Sequence, residues 1–380
     1  MIPRPFVLAA GGTGGHVFPA EALAAELLAR GHRCVLITDR RGTAFGGALA
    51  GVPVHRIHCG GIAGLSAAAR IGNTFELALG WLQALRILHR LKPAACIGFG
   101  GYAALPTMLA AAIAGWPAVV HDQNAVLGRA NRLLAGRVRW ICTAFERVEK
   151  VPAAAAADRL MRVGMPVRSP FVPLRDAAYA PPGAEGPIRL LVLGGSQGAK
   201  IFSDVVPEAL ARLPEGLQKR IVITQQCRPE TLEAARAAYA KLPVSVELAP
   251  FFADVPVRLA AAHLVICRSG ASTIAELTTV GRPSILVPYP FAIDDHQTAN
   301  AAALAAAGGA QMMPQPEFTA ESLAARLVAL LSAPETLAPL AAAARDFGIP
   351  DAAGRLADVV CALLPDRQPR PSAALVRSAV

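Results

Sequence analysis

Val7-Leu8-Ala9-Ala10-Gly11-Gly12-Thr13-Gly14-Gly15-His16 stands near the start of the chain, and Leu191-Val192-Leu193-Gly194-Gly195-Ser196-Gln197-Gly198 repeats its pattern about 180 residues later. Each copy is a short apolar run that enters a glycine turn ahead of a helical stretch. The run suits a strand buried on both faces, and glycine lets the backbone turn sharply where the helix opens. Two copies of one strand–turn–helix unit predict two similar α/β domains with parallel sheets. Further apolar strands are predicted at 34–37, 95–97, 118–120, 221–223, 264–267 and 285–288, with a helix over 20–30 stopped by Gly31. Strands alternating with helices support the parallel arrangement.

Three hundred and eighty residues suit two domains. The expected division is 1–164, 165–346, a C-terminal helix over 347–364 whose return to the first domain is left open, and a disordered tail over 365–380. Hydrophobic residues make up 54% and charged residues 17%, which excludes disorder over most of the chain. The net charge of +10 fits polyphosphate ligands, nucleic acid or an anionic membrane surface. Only 5% of residues are aromatic, which argues against stacking on single-stranded nucleic acid. Seven scattered cysteines without a CxxC spacing predict a reducing compartment, with neither a disulfide framework nor a zinc site. Cys96 and Cys267 fit core positions.

The apolar run from Phe6 to Ala10 is too short for a signal peptide. The uncharged stretch 94–120 is long enough to span a bilayer, but Gly98, Gly100, Gly101, Pro106, Gly115 and Pro117 divide it. It is predicted as strand, glycine loop, helix from about Pro106, and strand.

Neither glycine loop has the GxGxxG or GxxxxGK[ST] spacing, so each alone reads equally as a tight turn. Residues 268–301 say more. The strand at 264–267 runs into Arg268-Ser269-Gly270, with Ser269 a predicted N-cap and Gly281 a predicted stop. That helix start can hold a diphosphate without metal, through free amides and the helix dipole. Glu276 projects one turn beyond Ser272 and Thr273, where a carboxylate can accept both hydroxyls of a ribose. Asp294-Asp295 invites a divalent cation, but further carboxylates at suitable spacing are missing. No metal and no cofactor are expected.

Six motifs occur in order: Gly11–Ala20, Gly98-Phe99-Gly100-Gly101-Tyr102, His121-Asp122-Gln123-Asn124, Gly194–Ala199, Arg268-Ser269-Gly270-Ala271 with Glu276, and Asp295–Asn300. Over roughly residues 5–362 the chain resembles the MurG family of bacterial glycosyltransferases. The resemblance implies the GT-B fold, two Rossmann-like domains facing a cleft. It implies UDP-N-acetylglucosamine as donor and lipid I, the undecaprenyl-diphosphate-linked N-acetylmuramoyl-pentapeptide, as acceptor. Lipid II for the bacterial cell wall is then the product, made by inversion. It further implies peripheral attachment at the cytoplasmic face of the inner membrane, and no nucleic-acid partner.

By the same resemblance the donor-binding positions carry over, Arg168 among them: Thr13, Gly14 and Gly15 match the first loop, Asn124 and Gln297 contact the sugar, and Ser196 contacts phosphate. Arg168 matches an arginine after a turn in which Met165 replaces the usual asparagine. Phe252 stands where a smaller aliphatic residue meets uracil through its backbone. Ala271, Ser272, Thr273, Ile274, Ala275 and Glu276 match the helix that takes phosphate and ribose. Asp122 replaces a more usual glutamate.

The acceptor hydroxyl must lose a proton as it attacks. His16 is the candidate base, with a pKa range suited to neutral pH. An orienting role in the loop is the other reading of His16, Asp122 is the alternative base, and His121 fits a core histidine. Three other classes compete: a non-hydrolysing UDP-sugar epimerase, a nicotinamide dehydrogenase with Asp39 as its nominal acid, and a non-catalytic membrane-surface protein. The stretch 70–92 is predicted helical and apolar over more than one face. Ile71, Phe75, Leu79 and Trp81, with Arg86 and Arg90, are the expected contacts to an anionic bilayer. A helix buried on most sides is the alternative.

Overall fold

The computed structural model describes residues 4–11, 14–40, 46–60, 67–155, 157–195 and 199–364, with side chains of 67–73 and 157 excluded. Two units emerge: residues 1–168 with 350–380, and residues 169–349. The expected tail from Pro365 lies outside the described residues.

The first unit runs β1 (Phe6–Ala9), α1 (Gly14–Ala29), β2 (Cys34–Asp39), β3 (Val54–Ile57), α2 (Ala67–Leu91), β4 (Ala95–Gly98), α3 (Gly101–Ile113), β5 (Ala118–Asp122), α4 (Arg129–Leu134), β6 (Trp140–Thr143) and β7 (Leu160–Arg162). Its sheet has the order β3-β2-β1-β4-β5-β6-β7, with every pairing parallel. Side-chain alternation along β1 builds two cores. Phe6 and Leu8 face Leu23 and Leu27 of α1, while Val7 and Ala9 face Ala84 and Leu88 of α2 and Met108 of α3. All of these are fully buried, which is why the strand reads as a continuous apolar run.

The second unit runs β8 (Ile188–Leu193), α5 (Lys200–Ala211), α6 (Glu215–Gln218), β9 (Ile221–Gln226), α7 (Pro229–Tyr239), β10 (Ser245–Ala249), α8 (Val255–Ala261), β11 (Leu264–Cys267), α9 (Ala271–Val280), β12 (Ser284–Leu286), α10 (His296–Ala306), β13 (Gln311–Met312), α11 (Ala320–Ser332) and α12 (Leu337–Phe347). Its order is β10-β9-β8-β11-β12-β13, also parallel throughout.

The chain then returns to the first unit through α13 (Ala352–Cys361), which packs on α1. Leu356 and Val360 are fully buried in the core that also holds Leu23 and Leu27. Each such side chain contributes about 1.5–3 kcal/mol. The Arg30–Asp358 ion pair at 2.6 Å is solvent-exposed, and such pairs are worth about 0–1 kcal/mol. Apolar burial therefore holds α13 in place.

Two helices start earlier than prolines suggest. Both α1 and α3 begin at a glycine five residues before Pro19 and Pro106. Each proline lies in the second turn, where it removes the hydrogen bond to the carbonyl four residues back, that of Gly15 or Tyr102. The stretch 94–120 is thus β4, α3 and the start of β5, with eight side chains of α3 buried. Among the described residues, no single helix is long and apolar enough to cross a membrane.

Candidate active site

Both sheets reverse direction of growth beside their first strand. In open α/β sheets ligands bind outside the strand C-termini at that switch point. In the first unit it lies between β1 and β4, and in the second between β8 and β11.

In the first unit, the early start of α1 puts His16 on its first turn rather than in a loop. The ring lies against Gly100 and Gly101, whose φ values are +82° and +71°. A methyl group on Gly101 would come within 3.2 Å of His16 Nε2 and Cδ2. Glycine here serves both the left-handed backbone and the close approach. His16 Nδ1 lies 3.1 Å from Gln123 Oε1. Gln123 is itself buried, and its Nε2 donates to the carbonyls of Phe99 and His121, each at 3.0 Å. His121 is fully buried, and its Nε2 donates to Gly164 O at 2.8 Å. Burial pushes the His121 pKa down, against the raising influences of Gly164 O and Asp122. His121 is therefore a core histidine.

Asp122 has a different role from that expected of a base. Its Oδ1 accepts from the Asn124 amide at 3.1 Å, and its Oδ2 accepts from the Gly128 amide at 2.7 Å and Asn131 Nδ2 at 2.9 Å. The carboxylate is 2% exposed and shapes the loop that carries half-buried Asn124. Arg168 belongs to the first unit, with its guanidinium 4.7 Å from the Phe18 ring. Burial raises the pKa of Glu21, while the Ala48 amide and the charge of Arg168 pull it down. Thr13 lies outside the described residues, whereas Gly14 and Gly15 open α1.

In the second unit the N-cap of α9 is Gly270, not Ser269. The Ser269 hydroxyl donates instead to Gln297 O at 2.8 Å, a partner no local pattern reveals. Among the described residues no side chain caps α9, and its first turn holds no acidic residue. The amides of Ala271, Ser272 and Thr273 thus precede the first intrahelical bond, from Ile274 N to Gly270 O. An added Cβ on Gly270 or Gly195 would meet nothing within 4 Å, so both border open space. The helix ends at Gly281, with φ +66°.

Ser272, Thr273, Ala275 and Glu276 are half-buried, while Ile274 is 2% exposed and belongs to the core. Burial and, secondarily, the charge of Glu276 push the Cys267 thiol up, which puts Glu276 within electrostatic reach of the end of β11. Gln297 Oε1 accepts from the Tyr289 amide at 3.0 Å, which leaves its amino end to donate. Phe252 is buried with Arg258 over its ring at 4.3 Å. Ser196 lies outside the described residues. The Asp294-Asp295 pair is a turn with φ +56° and +55°, and Asp295 accepts from the Thr298 hydroxyl at 2.8 Å.

Two residues escape a reading of the sequence. Gln123 sits inside a quoted motif, between His121 and Asn124, without a role. Arg268 is 9% exposed and binds the carbonyls of Val287 and Pro288 and, at 2.6 Å, Gln315 Oε1. It ties the ends of β11 and β12 together.

On α2, Phe75 is 70% and Leu82 42% exposed. Leu79 is half-buried, and Arg86 and Arg90 are exposed. At about 100° per residue these five fall within an arc of about 80°. Trp81 lies across the helix from these five, is half-buried and packs against the core with Leu85 and Ile87. The side chain of Ile71 lies outside the described residues.

The glycosyltransferase family 28 N-terminal domain matches residues 6–143, and the family 28 C-terminal domain matches residues 189–356. The UDP-N-acetylglucosamine–N-acetylmuramyl-(pentapeptide) pyrophosphoryl-undecaprenol N-acetylglucosamine transferase of Paramagnetospirillum magneticum is 61% identical over 96% of this chain and 98% of its own. The crystal structure of Acinetobacter baumannii MurG is 32% identical over 94% of this chain and 99% of its own, with a TM-score of 0.75. The UDP-GlcNAc 2-epimerase of Neisseria meningitidis, at 13% identity over 94% of this chain and 99% of its own and a TM-score of 0.63, shares the fold alone. With both family 28 domains present, on two doubly wound sheets of the GT-B type, the chain belongs to glycosyltransferase family 28 and, within it, to the MurG family.

Proposed function

We propose that the chain moves N-acetylglucosamine from UDP-N-acetylglucosamine to the 4-hydroxyl of the N-acetylmuramoyl residue of lipid I, with inversion, to give lipid II for peptidoglycan synthesis. The observation that carries this reading is the 61% identity, over nearly the whole chain, with a relative whose name states that donor and that acceptor. The acceptor oxygen bonds to the anomeric carbon, the bond from that carbon to the diphosphate breaks, and UDP leaves. His16 takes the hydroxyl proton. Asp122 is set aside as the base because its oxygens already hold the 122–131 loop.

Charge grows on the departing diphosphate. The amides of Ala271, Ser272 and Thr273 at the uncapped start of α9 suit that charge, together with Ser196. Glu276 accepts from the ribose hydroxyls. Gln297 and Asn124 meet the sugar, and Phe252 meets uracil through its backbone. Thr13, Gly14, Gly15 and Arg168 complete the donor-binding set. The acceptor carries a lipid, so we place the protein peripherally on the cytoplasmic face of the inner membrane. Phe75, Leu79 and Leu82 then enter the interface, with Arg86 and Arg90 at the headgroups.

The test is incubation with radiolabelled UDP-N-acetylglucosamine and a lipid I analogue. Label transferred to the lipid with release of UDP is the expected result. Label that stays on the nucleotide as an epimerised sugar would replace this reading with the epimerase.

A further inference from the structure

The proton that His16 removes can be received by only one of its two ring nitrogens, and the structure bears on which. Gln123 Nε2 lies 3.0 Å from both Phe99 O and His121 O. Two carbonyl oxygens there require the amide's NH2 end, since the reversed amide would set oxygen against oxygen. Gln123 Oε1 is therefore the atom 3.1 Å from His16 Nδ1, and an oxygen acceptor requires Nδ1 to carry hydrogen. A neutral imidazole with hydrogen on Nδ1 has its lone pair on Nε2. A methyl group on Gly101 would stand 3.2 Å from Nε2, so the Gly101 backbone lies beside that nitrogen.

His121 closes the chain from the other side. Its Nε2 faces Gly164 O at 2.8 Å and so carries hydrogen, which leaves Nδ1 as acceptor; the Gln123 amino group, 3.1 Å away, shares its two hydrogens between that nitrogen and the two carbonyls. The Gln123 amide thus has no freedom to turn. Its orientation is set by two backbone carbonyls and a buried neutral histidine.

We propose that Gln123 is a positioning residue that holds His16 in the Nδ1–H tautomer and so presents Nε2 as the atom that takes the acceptor's proton. The catalytic consequence rests on the reading of His16 as the base. Imidazole orientation by a hydrogen bond to Nδ1 is the logic of the serine-protease triad, with a neutral amide here in place of the carboxylate.

The test has a spectroscopic arm and a kinetic arm. Nitrogen-15 correlation spectra of the histidine rings, with His16 assigned by its loss in His16→Ala, should show the Nδ1–H form in the native chain. That signal should change in Gln123→Met, which keeps the shape and lacks the hydrogen bond. An Nε2–H form for His16 in the native chain overturns the proposal, whatever the kinetics. Gln123→Met should lower kcat by about 10- to 100-fold with the donor KM within about twofold, the scale of a misplaced catalytic group. In the His16→Ala background the same substitution should cost nothing further, because groups that act as a unit are not additive. An equal loss in both backgrounds means that Gln123 acts through the fold of its loop, and overturns the proposal. A His16→Ala enzyme with full kcat overturns the base reading instead, and the Nδ1–H signal separates the two failures.

Discussion

At the exit of β1 and β4 the first unit gathers side chains that carry protons: His16, Gln123 and His121, joined by hydrogen bonds of 3.1 Å. At the exit of β8 and β11 the second unit presents backbone amides at an uncapped helix start, with Glu276 one turn beyond. The strand order around the two switch points is the same. The two units differ in the turns beyond those strands. In the first unit glycine lets an imidazole ring lie against the backbone, and in the second a Cβ added at Gly195 or Gly270 would meet nothing within 4 Å among the described residues. On the proposed function, the residues beside the glycines decide whether the exit of each sheet handles a proton or an anion.

The comparison breaks most visibly at His16. His16→Ala should lower kcat by about 10²–10⁴, the usual contribution of general-base catalysis, with donor affinity nearly unchanged. Steady-state kinetics at saturating donor measures it, and a rise in donor KM with kcat intact would move His16 into the donor site. Next comes Glu276→Ala, expected to weaken UDP-N-acetylglucosamine binding by about 1–3 kcal/mol through loss of a half-buried acceptor. Calorimetry that finds the native affinity would remove Glu276 from the ribose.

A third difference is pH dependence. Burial holds the pKa of His121 below the ordinary histidine value. Above that ordinary value neither folded nor unfolded chain binds the proton, so stability is unaffected. As pH falls below it, the unfolded chain takes up a proton that the folded chain refuses, so stability falls. The slope reaches about 1.4 kcal/mol per pH unit until the folded pKa is met. Urea unfolding of the first unit at pH 7.5 and 5.5 should show that loss in the native chain and less of it in His121→Gln. Equal losses would mean that other groups dominate.

The smallest effect concerns the surface of the first unit. Arg90→Gln should weaken sedimentation with anionic vesicles by about 1 kcal/mol, or roughly fivefold, with no change on neutral vesicles. An unaltered partition would put the basic end of α2 away from the headgroups.

Much of this organisation is legible in residues read along the chain. The apolar runs of β1, β8 and β11 identify strands because parallel sheets bury both faces, and Gly281 marks the end of α9 because that turn needs a positive φ. The starts of α1 and α3 are less legible, since proline marks a helix start in most sequences and here falls in the second turn. The cap of α9 misleads for another reason. A serine before a helix normally caps it, but Ser269 is drawn away by Gln297, 28 residues on. The placing of Trp81 on the face opposite Phe75 is not legible either, because α2 is apolar on more than one face and periodicity does not tell which face is covered.

Local pattern by itself determined the two α/β units, their opening strands, the glycine turns and the helix start that suits a diphosphate. These depend on neighbours within one turn or one strand, where sterics and periodicity act. Only the tertiary structure decided which role each polar group of the His121–Asn124 motif takes. Gln123 reaches His16 across 107 residues, and Asp122 reaches Asn131 across 9. Hydrogen-bond partners are set by where the elements pack, and buried polar groups must take whatever donor or acceptor the fold brings to them.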